Sequence, residues 1–149
     1  MRRGALSRRA VVHGPRVAVV GAGSWGTTFG KILADGGADV TMWARRPELA
    51  QEIAQAKRNT DYLPGINLPM SMTATSHLSE ALDGAEQVYL SIPSQALRQN
   101  LKAVRPLIAN TDAPIVSLMK GVERRTGLRM SQVIAQELHI DPSRIAVAS

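Results

Sequence analysis

Cysteine is absent from the chain, which removes disulfides, thiolate metal sites and a catalytic thiol by inventory alone. The reducing interior of a cell fits that absence, so a cytoplasmic location is the expectation. Histidine is scarce: His13, His77 and His139 lie far apart, no two at the spacing of a metal site, and no metal is expected. No apolar run approaches the roughly 18 to 20 residues needed to cross a bilayer, so no membrane span is expected. Acids are missing from the N-terminal end, where Arg2, Arg3, Arg8, Arg9 and Arg16 all precede Asp35. Setting those five aside reduces a formal charge of +6 to thirteen bases against twelve acids. The body of the chain is therefore near neutral. With aromatics at only 3%, it lacks the basic, stacking-ready face of a nucleic-acid binder, and no nucleic-acid partner is expected.

What remains, 44% hydrophobic and 20% charged over 149 residues, is the composition of one globular domain. Arg16-Val17-Ala18-Val19-Val20 is a short apolar run ended by glycine, as in a strand buried on both faces of a parallel sheet. Trp25, Phe29, Ile32 and Leu33 follow at helical spacing, predicting a helix that lays these four side chains on the sheet and stops at Gly36-Gly37. Val40 to Ala44 predicts a second strand, and Pro47 opens a helix with Leu49 and Ile53 on one face. Asn59 to Leu68, broken by Pro64-Gly65, predicts a structured loop. Further strands are expected at Met70 to Thr75, Val88 to Ile92, Ile115 to Leu118 and Arg144 to Ala148. Helices are expected over Leu78 to Leu82, from a Ser94 cap through Leu97, Leu101 and Val104 to a stop at Pro106, and through Met130, Val133, Ile134 and Leu138. This alternation predicts an α/β fold with a doubly wound, mostly parallel sheet, whose ligands sit beyond the carboxyl ends of the strands. Residues 16–149 would form that domain, preceded by a basic, disordered arm over 1–15.

Gly21-Ala22-Gly23-Ser24-Trp25-Gly26 occupies the turn between the first strand and first helix. The first glycine permits the tight turn, the second lets a pyrophosphate approach the backbone, and the third allows close helix-strand packing. N–H groups around Ser24 and Trp25, with the positive end of the helix dipole, favour a phosphate. In this context the pattern predicts an NAD(P)-binding Rossmann domain. Trp25 either faces the cofactor or packs at the helix-sheet junction. About 20 residues past the glycines, where an acid usually binds the ribose of NAD, stand Ala44-Arg45-Arg46. Guanidinium groups pair with a 2′-phosphate, which favours NADP over NAD; solvated arginines opening a helix are the alternative. Lys120 follows the fifth strand at the edge where nicotinamide and substrate would meet, and serves either a substrate oxygen or only the surface. Tyr62 and Ser94 carry weaker signals that packing and capping also explain. No catalytic acid or base stands out.

These motifs, joined by Tyr62-Leu63-Pro64-Gly65-Ile66, Ile92-Pro93-Ser94-Gln95-Ala96-Leu97-Arg98 and Lys120-Gly121-Val122-Glu123, occur in an order that closely resembles bacterial NAD(P)-dependent glycerol-3-phosphate dehydrogenase. The resemblance runs from Arg16 to Ser149. It implies cofactor contacts at Ser24, Trp25, Arg45, Arg46, Tyr62 and Lys120, with Lys120 also touching glycerol phosphate. It implies reversible hydride transfer between NAD(P)H and dihydroxyacetone phosphate, giving sn-glycerol 3-phosphate for phospholipid synthesis, in an intact protein for which a homodimer is one open assembly. Met119 departs from the Ser or Thr common there. The family's Gly-Pro-Asn segment and helical substrate domain, which carry its general acid/base lysine, have no match in the chain. The expectation is a cofactor-binding half with little or no turnover alone; a non-catalytic NADP(H)-binding module is the competing reading. Nucleic-acid binding through the arm ranks last.

Overall fold

The structure is a computed structural model describing residues 13–148. Residues 1–12 of the expected arm lie outside the described residues, while Pro15 lies against the sheet, its carbonyl accepting the Asp39 N–H at 3.0 Å.

Six strands form one sheet: β1 (Arg16–Val20), β2 (Asp39–Trp43), β3 (Met72–Thr75), β4 (Gln87–Leu90), β5 (Ile115–Ser117) and β6 (Ile145–Val147). Their order is β3-β2-β1-β4-β5-β6, and every neighbouring pair is parallel. The chain steps outward from β1 through β2 to β3, then returns to the other side of β1 with β4. A crevice opens where the order reverses, at the carboxyl ends of β1 and β4. Bonds just past the strand ends hold this edge level: Gly21 N–H to Trp43 O at 3.1 Å, Ser91 N–H to Val20 O at 2.9 Å and Leu118 N–H to Leu90 O at 2.9 Å.

Parallel strands need cover on both faces, and the alternation along β1 supplies it. Val17 and Val19 enter a core with Val40, Met42, Ile53 and Met72, beneath α1 (Ser24–Asp35) and α2 (Pro47–Gln51). Ala18 and Val20 enter a second core with Leu97, Leu101, Ile115 and Ile134, beneath α3 (Leu78–Leu82), α4 (Leu97–Ile108) and α5 (Met130–Leu138). Leu49 and Ile53 share the buried face expected of them, with α2 running on into a π turn over Glu52–Ala56.

Two local expectations are corrected. Of Trp25, Phe29, Ile32 and Leu33, only Phe29 and Leu33 pack against the sheet's core, both partly buried, while Trp25 and Ile32 are 45% and 56% exposed; the buried face of α1 is Gly26, Thr27, Gly30 and Ala34. The cause is proximity. A Cβ on Gly30 would lie 3.1 Å from Met72 Cε, and one on Gly26 only 2.4 Å from Gly21 O. The sheet supplies the bulk and the helix supplies the space.

The second correction concerns the helix after β4. Ser94 makes no side-chain cap; it opens a 3₁₀ turn, Ser94–Ala96, and α4 begins at Leu97. Pro106 does not stop α4, which continues to the buried Ile108. Proline forfeits one hydrogen bond there, close to a helix end where few bonds remain to lose, and burial of Ile108 supplies the offset.

Candidate functional site

A cleft of about 540 Å³ occupies the carboxyl edge at the strand-order reversal. Gly21, Gly23, Ser24, Trp25, Arg45, Arg46, Tyr62 and Lys120 all line it, together with Ser91, Ser94, Asn100 and Met119. Eight of the nine residues singled out in the sequence thus meet in one place. The ninth, Gly26, lies behind the wall and sets how closely α1 approaches Ser91.

The floor begins with the glycine turn. Gly21 has φ +117°, and a Cβ there would sit 2.1 Å from Ser91 O, so only glycine fits between β1 and β4. A Cβ at Gly23 would meet no atom within 4 Å, leaving its backbone open to the cleft. The first intrahelical bond of α1 runs from Thr27 N–H to Gly23 O at 3.0 Å, so the N–H groups of Ser24, Trp25 and Gly26 precede the helical ladder. Beside the turn, Trp25 packs edge-on to Phe29, with ring centroids 5.8 Å apart, and Phe29 in turn leans on Tyr89 at 5.5 Å. Burial pushes the Tyr89 hydroxyl above its usual pKa. Trp25 thus packs on Phe29 and lines the cleft.

Asn59 was not picked out as a site residue, yet it joins the loop to the turn. It is fully buried; its Nδ2 donates to Ala22 O at 3.0 Å and Thr27 Oγ1 at 2.8 Å, and its Oδ1 accepts the Tyr62 N–H at 3.2 Å. Tyr62, itself 43% exposed, has its backbone held beside the cleft by this residue.

Arg45 and Arg46 leave the end of β2 side by side but differ in state. Arg46 Nη2 donates to Asp61 Oδ2 at 2.5 Å, and its guanidinium lies 5.9 Å from the centre of the Tyr62 ring. The hydrogen bond that Arg46 donates to Asp61 holds the guanidinium protonated even more firmly than usual. Arg45 is exposed and has no ion-pair partner among the described residues. Lys120, at the opposite side, is likewise exposed and unpaired among the described residues. The ionisable residues lining the cleft are Arg45, Arg46, Tyr62 and Lys120, with no carboxylate and no imidazole. Such a lining attracts phosphates and offers no carboxylate or imidazole base.

Behind Lys120 stands an ion-pair cluster that periodicity could not reveal. Arg98, on α4, reaches Glu123 through Nε at 2.8 Å and Nη2 at 2.9 Å, and Glu137 on α5 through Nη1 at 2.5 Å. The bidentate Arg98 contact, helped by the Thr126 hydroxyl, holds Glu123 down to about 2, and both carboxylates raise Arg98. Among the described residues no cluster of His, Asp and Glu could hold a metal, and no helix is long and apolar enough to cross a membrane.

Comparison with known proteins agrees with this geometry. A family described as "NAD-dependent glycerol-3-phosphate dehydrogenase N-terminus" matches residues 16–149. A Leifsonia xyli protein named glycerol-3-phosphate dehydrogenase [NAD(P)+] is 66% identical over 131 residues, covering 88% of this chain and 35% of the relative. A Corynebacterium glutamicum protein of the same name is 57% identical over 133 residues, covering 89% and 40%. Among solved structures, a Coxiella burnetii glycerol-3-phosphate dehydrogenase superposes with a TM-score of 0.77 at 27% identity, covering 91% of this chain and 40% of the other. The chain thus spans well under half the length of these relatives.

Proposed function

The chain belongs to the family of NAD-dependent glycerol-3-phosphate dehydrogenase N-terminal domains, and from that premise we propose that it is the cofactor-binding part of an NAD(P)-dependent glycerol-3-phosphate dehydrogenase. The reaction would be reversible hydride transfer between NAD(P)H and dihydroxyacetone phosphate, giving sn-glycerol 3-phosphate for phospholipid synthesis in the cytoplasm. The observation that carries this reading is the convergence of the open Gly23 backbone, unpaired Arg45 and unpaired Lys120 on one cleft.

The donor set fits a phosphorylated dinucleotide. The turn from Gly21 to Gly26 and the N–H groups of Ser24 and Trp25 would hold the pyrophosphate, as helix N-termini do for anions generally. Arg45, with Arg46 beside it, would pair with the 2′-phosphate of NADP, and Tyr62 would offer its ring to the adenine side. NAD would use the same cleft without the Arg45 contact. Lys120 would reach the nicotinamide end and a substrate oxygen. When bound, the cofactor supplies the hydride. The residues of the chain are assigned to binding and orienting, and none is assigned to proton transfer.

Titration of the chain with NADPH and with NADH, followed by Trp25 and Trp43 fluorescence, tests the binding claim. Saturable binding of both is expected, and failure of either to bind would overturn it. NADPH with dihydroxyacetone phosphate is expected to be oxidised slowly or not at all by this chain. Rapid substrate-dependent oxidation would contradict the absence of an assigned proton-transfer residue.

A further inference from the structure

Two segments that flank the Lys120 side of the cleft are tied to each other by side chains that do not enter it. One comprises the 3₁₀ turn Ser94–Ala96 and the start of α4, and contributes Ser94, Ala96 and Asn100 to the cleft wall. The other runs from Lys120 to Arg129 between β5 and α5, with Gly121 at φ +91° and Gly127 at φ +71°. Regular structure in this second segment is one isolated antiparallel bridge, Val122 with Arg129. Its internal backbone bonds are Glu123 N–H to Leu128 O and Gly127 N–H to Glu123 O, both 2.8 Å.

Thr126 and Gln132 add side-chain bonds within and just after the second segment, and Gln95 and Arg98 tie it to the first. Gln95 Nε2 donates to Val122 O at 3.2 Å, and its Oε1 accepts the Arg124 N–H at 3.4 Å. Arg98 grips both oxygens of Glu123 while also donating to Glu137 and, at 3.2 Å, to Gln136 on α5. The three charged side chains of this cluster are mostly shielded, at 28%, 13% and 11% exposure for Arg98, Glu123 and Glu137. A planar fork held bidentately fixes direction as well as distance, unlike a point charge. Glu123 follows Lys120 by three residues, so the fork anchors the segment immediately after the cleft's unpaired lysine. We infer that Gln95 and Arg98 are positioning residues, which clamp the 120–129 segment so that Lys120 is presented to the nicotinamide end of the cofactor. This rests on the assignment of Lys120 proposed above.

The clamp predicts a pattern that general loosening of the fold would not produce. Adenosine 2′,5′-bisphosphate carries the adenosine end of NADPH but nothing that reaches Lys120. Arg98→Lys keeps the charge balance against Glu123 and Glu137 and loses the fork; Gln95→Ala removes two neutral bonds to the segment and a long one, 3.5 Å, to Ser94 Oγ, and leaves the ion cluster intact. The chain and its Arg98→Lys, Gln95→Ala and Lys120→Ala variants would be titrated with NADPH and with the bisphosphate by calorimetry. Lys120→Ala should weaken NADPH about tenfold, the loss of one charge-assisted contact, and Arg98→Lys and Gln95→Ala by roughly three- to tenfold. Bisphosphate binding should be unchanged in all three. Adding Arg98→Lys to Lys120→Ala should cost nothing further, because both act through one contact. Equal weakening of both ligands, unchanged NADPH binding in Arg98→Lys and Gln95→Ala, or multiplicative losses in the double variant would each overturn the inference. Should Lys120→Ala itself leave NADPH binding unchanged, the assignment of Lys120 falls and the inference with it.

Discussion

The side-chain amide of Asn59 donates to Ala22 O at 3.0 Å across 37 residues of sequence, tying the loop that carries Tyr62 to the turn between Gly21 and Gly26. One buried residue satisfies a carbonyl and a hydroxyl at once, and no solvent reaches its place. Asn59→Ala leaves both partners short of a donor, a loss of about 1–3 kcal/mol. Chemical denaturation should show that loss, and NADPH binding should weaken as Tyr62 is released; unchanged values for both would mean the loop is held by something else.

Gly26→Ala should damage the cleft from behind. A helix interior ordinarily gains from this change, by roughly 1 kcal/mol. Here the new methyl would fall 2.4 Å from Gly21 O and 3.0 Å from Ser91 Cβ, and the first of these is backbone that cannot move without opening the turn. The expected outcome is a lower melting temperature together with weaker NADPH binding.

Asp61 sets how freely Arg46 meets an incoming phosphate. The pair is half-exposed, so its own strength is modest, but the carboxylate occupies Arg46 and adds negative charge beside the 2′-phosphate position. Asp61→Asn should tighten NADPH roughly threefold and leave NADH nearly unchanged. Titration of both cofactors against the variant checks this, and equal changes for the two would count against it.

Acid should loosen the segment behind Lys120. Arg98 holds the Glu123 carboxyl down to about 2 in the folded chain, below its ordinary value near 4.5. Above the ordinary value the stabilisation is fully present. As pH falls from there towards 2 the unfolded chain takes up a proton that the folded chain refuses, and the contribution is lost. Melting temperatures measured across that window should fall less steeply in Glu123→Gln than in the unaltered chain.

The strands and most of the cleft were readable because their signals are local. β1 appears in the sequence with its observed bounds; the glycine turn opens, and Arg45 and Lys120 lie, within three residues of a strand end. Trp25 and Ile32 look sheet-facing in the sequence, beside Phe29 and Leu33 which do pack on the core, because apolar periodicity weighs side-chain bulk. Gly30 is buried for its smallness under Met42 and Met72, and Gly26 against Gly21 and Ser91, all contributed by strands or the turns just after them. Asn59 looked like ordinary loop chemistry, since its partners Ala22 and Thr27 lie more than thirty residues away. Arg98 and Glu123 stood inside two family-like motifs, yet only folding brings them together across 25 residues. Pro106 reads as a stop because proline is costly within a helix, yet α4 runs two residues further to the buried Ile108.

Arg45→Glu is the most direct test of the central claim, that this cleft receives a dinucleotide with Arg45 on its 2′-phosphate. The ratio of NADPH to NADH affinity would be measured by titration in the unaltered chain and the variant. The account predicts that the ratio falls by about tenfold or more, since a charge-assisted contact is replaced by repulsion. A ratio that does not change would contradict it.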